Sequence, residues 1–296
     1  MDGILNINKP EGKTSFGIVA MVRRLTRERR VGHAGTLDSM ASGVLPVCFG
    51  QGTRVIEFLM DAHKVYRARI ELGIATDTYD ATGKIIQQGD ASGISQEQLE
   101  SALHSFRGLI LQTPPMYSAL KYQGKRLYEL ARAGITVSRK SRLVQVYRLE
   151  LMDFKPPLVT LEIECGQGTY IRSMAHDLGQ LLGCGAHLEN LVRLKYGPFD
   201  VTDAVSLPQL EDAFSSSSWR QLVYPIDIGL LHWSAVVVGD EQERVIKNGG
   251  SVVMENSPDG ASLAQRCRAY SQDGCFLAVL HFNSERGRWQ PEKVFV

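Results

Sequence analysis

Residues 66–72 read Tyr-Arg-Ala-Arg-Ile-Glu-Leu, and this strict alternation constrains the fold more than any other stretch. Successive side chains on a strand point to opposite faces, so Tyr66, Ala68, Ile70 and Leu72 share one face and Arg67, Arg69 and Glu71 the other. Such a strand belongs in a sheet that is covered on one side and wet on the other. The segment LVTLEIEC, 158–165, alternates in the same way, and RLVQVYRLELMDF, 142–154, reads as a further strand.

Helical stretches interrupt these strands. GILNINKP is a short strand stopped by Pro10, after which Thr14 or Ser15 caps a helix over 16–27 with Ile18, Val22 and Leu25 on one face. VLPVCFG, 44–50, reads as a buried strand and TRVIEFLM, 53–60, as a short helix. SQEQLESALHSF is a helix with Ser95 and Gln98 spaced as a capping box. The stretch 112–134, QTPPMYSALKYQGKRLYELARAG, is a double-proline turn and a short helix closed by Gly134. TYIRSMAHDLGQLLG is a helix with an apolar stripe of Ile171, Met174, Leu178 and Leu181. The run Ser215–Ser218 marks a surface loop near a boundary. Beyond about residue 230 the chain reads as short strands with Gly and Asn turns, VIKNGGSVV and CRAYSQDGCFLAVLHF among them. Strands and helices without a regular βαβ order predict an α+β chain with a small β-rich appendage. Its 296 residues suit two domains, here expected as 1–230 and 231–296.

Charge is unevenly spread. Residues 1–150 carry 21 Lys and Arg against 14 Asp and Glu, while the remainder carries 12 against 18, so a net charge of +1 hides a basic half. A basic half suits a polyanionic partner, or a set of solvated faces. Five arginines fall between Arg23 and Arg30, just ahead of a Gly-rich stretch. The five cysteines form no C-x-x-C pair, which suits reduced thiols in the cytoplasm. No run approaches the ~20 apolar residues of a membrane span, and MDGILNINKP lacks a signal-peptide layout.

The Gly-rich stretch is GHAGTLDSMASGVLPVCFG, 32–50, with one imidazole, His33, and one carboxylate, Asp38. Asp38 suits either a cap for the turn DSMAS or a nucleophile or base on a loop that lets a ligand approach closely. No third ligand joins it and His33, so no metal site is expected. Arg172 falls in the first turn of its helix, after Thr169 as the expected cap, where a cation opposes the helix dipole by roughly 0.3–1 kcal/mol. A carboxylate would offset this; Asp38 and Asp177 are the candidates. Tyr66, on the inward face of its strand, suits core packing or stacking on a base.

Four ordered segments resemble the TruB-type tRNA pseudouridine synthases: NKPEGKTSF, RVGHAGTLDSMASGVLPVCFG, YRARIELGIATDTYDATG and CGQGTYIRSMAHDLGQLLGCGAHLENLVRL. PPMYSALKYQGKRLYELAR is similar to the family's RNA-binding insertion, expected near 112–134. The resemblance is close over 2 to about 200 and looser beyond, where the chain resembles a PUA-type β domain. It implies a mixed, mostly antiparallel sheet and isomerisation of uridine-55 in the T-arm loop of tRNA, without metal or cofactor. It implies that Asp38 is the catalytic aspartate, that Arg172 pairs with it, and that Tyr66 stacks on the uracil. His33 matches a histidine that helps hold flipped-out nucleotides, Tyr170 and Leu191 match pocket-lining side chains, and Lys9 and Pro10 match a motif packed beside the active loop. Lys121, Lys125 and Arg126, with Arg29, Arg30 and their neighbours, are the expected phosphate contacts. A monomer acting without guide RNA is expected. A tRNA-folding chaperone and a guide-directed synthase are the competing readings.

Overall fold

The computed structural model describes residues 2–254 and 266–295. The first strand, β1 (Gly3–Lys9), leads into α1 (Ser15–Thr26), capped by Thr14, whose hydroxyl accepts from the Gly17 amide at 3.0 Å. There follow β2 (Val31–His33), β3 (Ser42–Phe49), a 3-10 turn running into α2 (Ile56–Leu59), and the alternating strand β4 (Lys64–Leu72). A small hairpin, β5 (Ile74–Thr76) and β6 (Ile85–Gln88), precedes α3 (Gln96–His104), which carries the expected Ser95–Gln98 capping box. Next come β7 (Gly108–Gln112), a two-residue-stranded hairpin of β8 (Lys121–Tyr122) and β9 (Lys125–Arg126), and α4 (Leu127–Arg132). The long strands β10 (Arg142–Lys155) and β11 (Leu158–Cys165) then lead to α5 (Ile171–Leu181), β12 (Ala186–Tyr196) and β13 (Phe199–Asp200). After α6 (Leu207–Ser215), β14 (Val223–Tyr224) returns to the edge of the sheet.

These strands make one ten-stranded sheet in the order β14-β1-β3-β12-β4-β11-β10-β7, with β2 on β3 and β13 on β12. Every pairing is antiparallel except β12 with β3. The period-two pattern of β4 decides the layering. Ala68, Ile70 and Leu72 are buried with Val159, Leu161, Ile163, Met174 and Leu178, so α3 and α5 cover that face. On the wet face Arg67 meets Glu162 at 3.4 Å, Arg148 meets Glu162 at 2.8 Å, and Arg69 pairs with Glu189. Burial of the apolar face drives this arrangement, because exposed ion pairs contribute only about 0–1 kcal/mol each.

A second, four-stranded sheet follows: β15 (Ser234–Val237), β16 (Arg266–Tyr270), β17 (Phe276–Asn283) and β18 (Arg288–Val294), with α7 (Asp240–Lys247). It is a small β domain packed on the main sheet, where Val279 and Phe295 share a core with Ile4, Phe58 and Leu59. VIKNGGSVV is not the strand pair expected from its sequence. Val245–Lys247 end α7, whose acidic first turn and basic last turn suit the helix dipole, and only Val252 pairs, with Trp289. Residues 255–265 of the expected C-terminal domain lie outside the described residues.

Candidate active site

The loop between β2 and β3 carries Asp38 and is held from below. The Ser15 hydroxyl donates to the Leu37 carbonyl and accepts from the Leu37 amide, both at 2.9 Å. The Gly12 amide donates to Ser39 O at 2.8 Å. Lys9, fully buried, donates through Nζ to Pro10 O at 2.9 Å, Lys13 O at 2.7 Å and Ser39 O at 3.5 Å. Burial pulls its pKa down to about 8, and the Asp38 charge opposes that shift. Asp38 closes a turn through its backbone, accepting from the Ala41 amide at 3.1 Å, which leaves the carboxylate free.

That carboxylate faces Arg172, one residue into α5. Arg172 Nε lies 2.9 Å from Asp38 Oδ2, and its Nη1 lies 3.4 Å from Asp80 Oδ2. The Nε hydrogen points off the line to Oδ2, so the first contact is an ion pair rather than an aligned hydrogen bond. Nη1 also donates to Thr78 O at 3.3 Å and Nη2 to Tyr117 O at 2.8 Å, so the guanidinium cannot swing. The Arg172 side chain is 6% exposed and that of Asp38 40%. At an effective dielectric of 20 a pair this close is worth about 6 kcal/mol before desolvation, reduced by water on the open side of Asp38. The alternative partner, Asp177, makes no ion pair with Arg172; burial raises its pKa to about 6. Thr169 does not cap α5: its hydroxyl donates back to Gly166 O at 3.3 Å. The helix start is held instead by Gln112, which accepts from the Tyr170 amide at 2.7 Å and donates to Tyr170 O at 2.9 Å.

Asp80 is a carboxylate with no open side. Its Oδ1 accepts from the Thr78 hydroxyl at 2.7 Å, the Thr82 hydroxyl at 2.6 Å and the Thr82 amide at 3.0 Å. Those donors lock it beside Arg172, where it puts a second negative charge on the guanidinium.

Three strands bring the remaining groups together. Gly43 on β3, Arg193 on β12 and Tyr66 on β4 stand in one cross-strand row. Gly43 has φ +103°, and a Cβ there would lie 2.2 Å from the Arg193 carbonyl, so only glycine lets the parallel strands approach. Arg193 is almost fully buried and donates to Val44 O at 2.6 Å and Gly35 O at 3.1 Å. Burial raises the Tyr66 pKa, with the Arg193 charge opposing, while the residue keeps part of its surface open. Burial and then the Arg193 charge lower the His33 pKa, and its Nδ1 is buried without a partner. Burial raises the Tyr170 pKa and the Asp38 charge adds to it. Leu191, opposite Ala68 on β12, is buried in the core beneath, with Leu37 and Met40.

Asp38, Arg172, Tyr66, Tyr170 and Leu191 are thus gathered at one end of α5. The basic residues are not. Lys121, Lys125 and Arg126 sit on the exposed β8–β9 hairpin, and Arg29 and Arg30 on the exposed turn before β2. The base of the insertion, through Tyr117 O, is what touches the site. Two site groups, Asp80 and Arg193, were not singled out from the sequence. Arg193 shares the parity of Leu191 along β12, and a charge on an inward face is a signal of a built polar site. Asp80 stands in a run of Thr and Asp that reads as a surface turn.

Comparison with known proteins sets this geometry in a class. Residues 23–171 match the TruB family pseudouridylate synthase N-terminal domain, and 172–231 the tRNA pseudouridylate synthase B C-terminal domain. Fold and match define a pseudouridylate synthase. A "tRNA pseudouridine synthase B" of Dehalococcoides mccartyi is 44% identical over 296 residues, spanning 100% of this chain and 97% of that protein. One from Pseudomonas aeruginosa is 39% identical over 297 residues, spanning 99% and 96%. Among solved structures, a Cbf5-Nop10-Gar1 complex matches with a TM-score of 0.77 and 26% identity, covering 99% of this chain and 85% of that one. The chain belongs to the TruB family.

Proposed function

We propose that this chain isomerises uridine-55 to pseudouridine in the T-arm loop of tRNA, with Asp38 as the catalytic group. The single observation that carries this reading is the ion pair of a part-exposed Asp38 with a buried, four-point-anchored Arg172. The reaction breaks the bond from uracil N1 to C1′ of the ribose, turns the base over, and joins C5 to C1′. A carboxylate suits each route to that product: attack on C1′, addition to C6, or removal of the ribose 2′ proton. Arg172, held at 2.9 Å from its oxygen, keeps the Asp38 carboxylate aimed in any of them.

The target base must leave its stack, at a cost of a few kcal/mol. Stacking on the open part of Tyr66, worth about 1–3 kcal/mol for a base on an aromatic ring, offsets much of that. Tyr170 lines the pocket, Leu191 lies at its floor, and His33 helps hold the flipped-out nucleotides. Lys121, Lys125, Arg126, Arg29 and Arg30 contact phosphates and set register, and the shape of the loop selects the RNA. The chain acts as a cytoplasmic monomer of two domains, 1–230 and a PUA-like 231–296, without guide RNA, because its own insertion supplies the RNA contacts.

The experiment is product mapping. Purified chain and an unmodified tRNA transcript, with nothing added, should yield pseudouridine at position 55. Product only on addition of guide RNA would favour the guide-directed reading. RNA refolding without product from wild-type chain would favour a chaperone.

A further inference from the structure

Helix α5 holds the segment 78–80 by two different contacts one helical turn apart. Arg172 grips the Thr78 carbonyl and the Asp80 carboxylate. Four residues on, the ring of His176 stacks on Tyr79, centroids 3.9 Å apart and planes 12° from parallel. Residues four apart share a helix face, so guanidinium and imidazole meet three consecutive residues of one turn.

Tyr79 is an unusual residue to find there. Its φ is +64°, a left-handed backbone that side chains other than glycine, Asn and Asp rarely adopt. The turn that imposes it is tied on both sides: Tyr79 N donates to Thr76 O at 3.2 Å, and Leu188 N donates to Tyr79 O at 3.0 Å. His176 supplies no hydrogen bond to explain its place, since its Nδ1 is buried without a partner. Burial and then the Arg139 charge lower its pKa, which disfavours a charged ring in the stack.

We propose that Tyr79 and His176 are positioning residues: their stack fixes the turn that presents Thr78 O and Asp80 to Arg172, and through Arg172 it sets the aim of Asp38. Neither ring takes part in bond making. The inference rests on Asp38 and Arg172 acting on uridine as described above.

The test is single-turnover kinetics on tRNA, with affinity measured separately and folding checked by thermal melting. Wild-type turnover is the control: without it the proposed function fails, whatever the variants do. With it, Tyr79→Ala and His176→Ala should each slow the chemical step roughly 10- to 100-fold, the usual scale of a small misplacement, with tRNA affinity within about two-fold. Tyr79→Gly, which relieves the backbone but removes the ring, should be as slow as Tyr79→Ala. Tyr79→Phe, which keeps the ring, should restore the rate to within about three-fold. In an Asp80→Asn background, Tyr79→Ala should cost less than about two-fold more, because its path of action is already broken. Folded His176→Ala at the wild-type rate, Tyr79→Gly faster than Tyr79→Ala, or full multiplication of the Tyr79 and Asp80 effects would each overturn the proposal. Should Tyr79→Ala fail to fold, His176→Ala and Tyr79→Phe carry the same decision.

Discussion

Arg172 and Asp38 meet at 2.9 Å with very unequal surroundings: the guanidinium is sealed and the carboxylate is open on one side. A fixed buried charge behind a reachable oxygen is what an aimed carboxylate requires, since the cation resists reorientation while the anion stays accessible.

Asp38→Asn keeps the size of the side chain and removes its charge. Turnover should fall below detection, while tRNA affinity stays within about ten-fold, because the basic residues proposed to contact phosphate lie elsewhere. Filter binding beside a product assay checks both. Near-wild-type turnover would remove Asp38 from its role.

Asp80→Asn leaves Arg172 with one anionic partner and keeps the hydrogen bonds to Thr78 and Tyr117 carbonyls. The rate of the chemical step should drop roughly 10- to 100-fold with tRNA affinity unchanged. A loss confined to affinity would show that Asp80 supports RNA binding instead.

The exposed β8–β9 hairpin offers a salt test. Each phosphate contact removed should flatten the slope of log K against log salt by about 0.7–0.9. Lys121→Ala, Lys125→Ala and Arg126→Ala together should therefore reduce it by roughly two to three. An unchanged slope would place the hairpin outside the RNA contact.

Lys9 predicts a pH effect on stability. Its pKa falls from 10.5 to about 8 on folding, so between those values the unfolded chain binds more protons than the native one. Stability contributed at this site therefore rises with pH over that window. Against Lys9→Met, which removes the titration, wild type should gain about 2 kcal/mol between pH 8 and pH 10. Urea unfolding of both chains at several pH values measures the difference. A constant difference would mean that Lys9 is not desolvated.

Local pattern was enough for much of the fold. Alternation along β4 and β11 places Ala68, Ile70, Leu161 and Ile163 on the covered face, and the Ser95–Gln98 pair marks the start of α3. Where local pattern misled, a competing contact won. Gln112 from β7 took the capping role expected of Thr169, and the charge order of 240–247 made a helix of Val245–Lys247.

By itself the sequence determined which residues alternate, where helices start, and which residue types stand ready for chemistry at positions 38, 66 and 172. Only the tertiary structure decided that Asp38 faces Arg172 rather than capping its own turn, that Asp80 stands on the other side of that guanidinium, and that Arg193 lies beside Tyr66 across the strand pair. The reason is physical. Periodicity and capping act within a few residues and can be read along the chain, whereas an ion pair depends on which strands adjoin, and that follows from burial summed over the whole sheet.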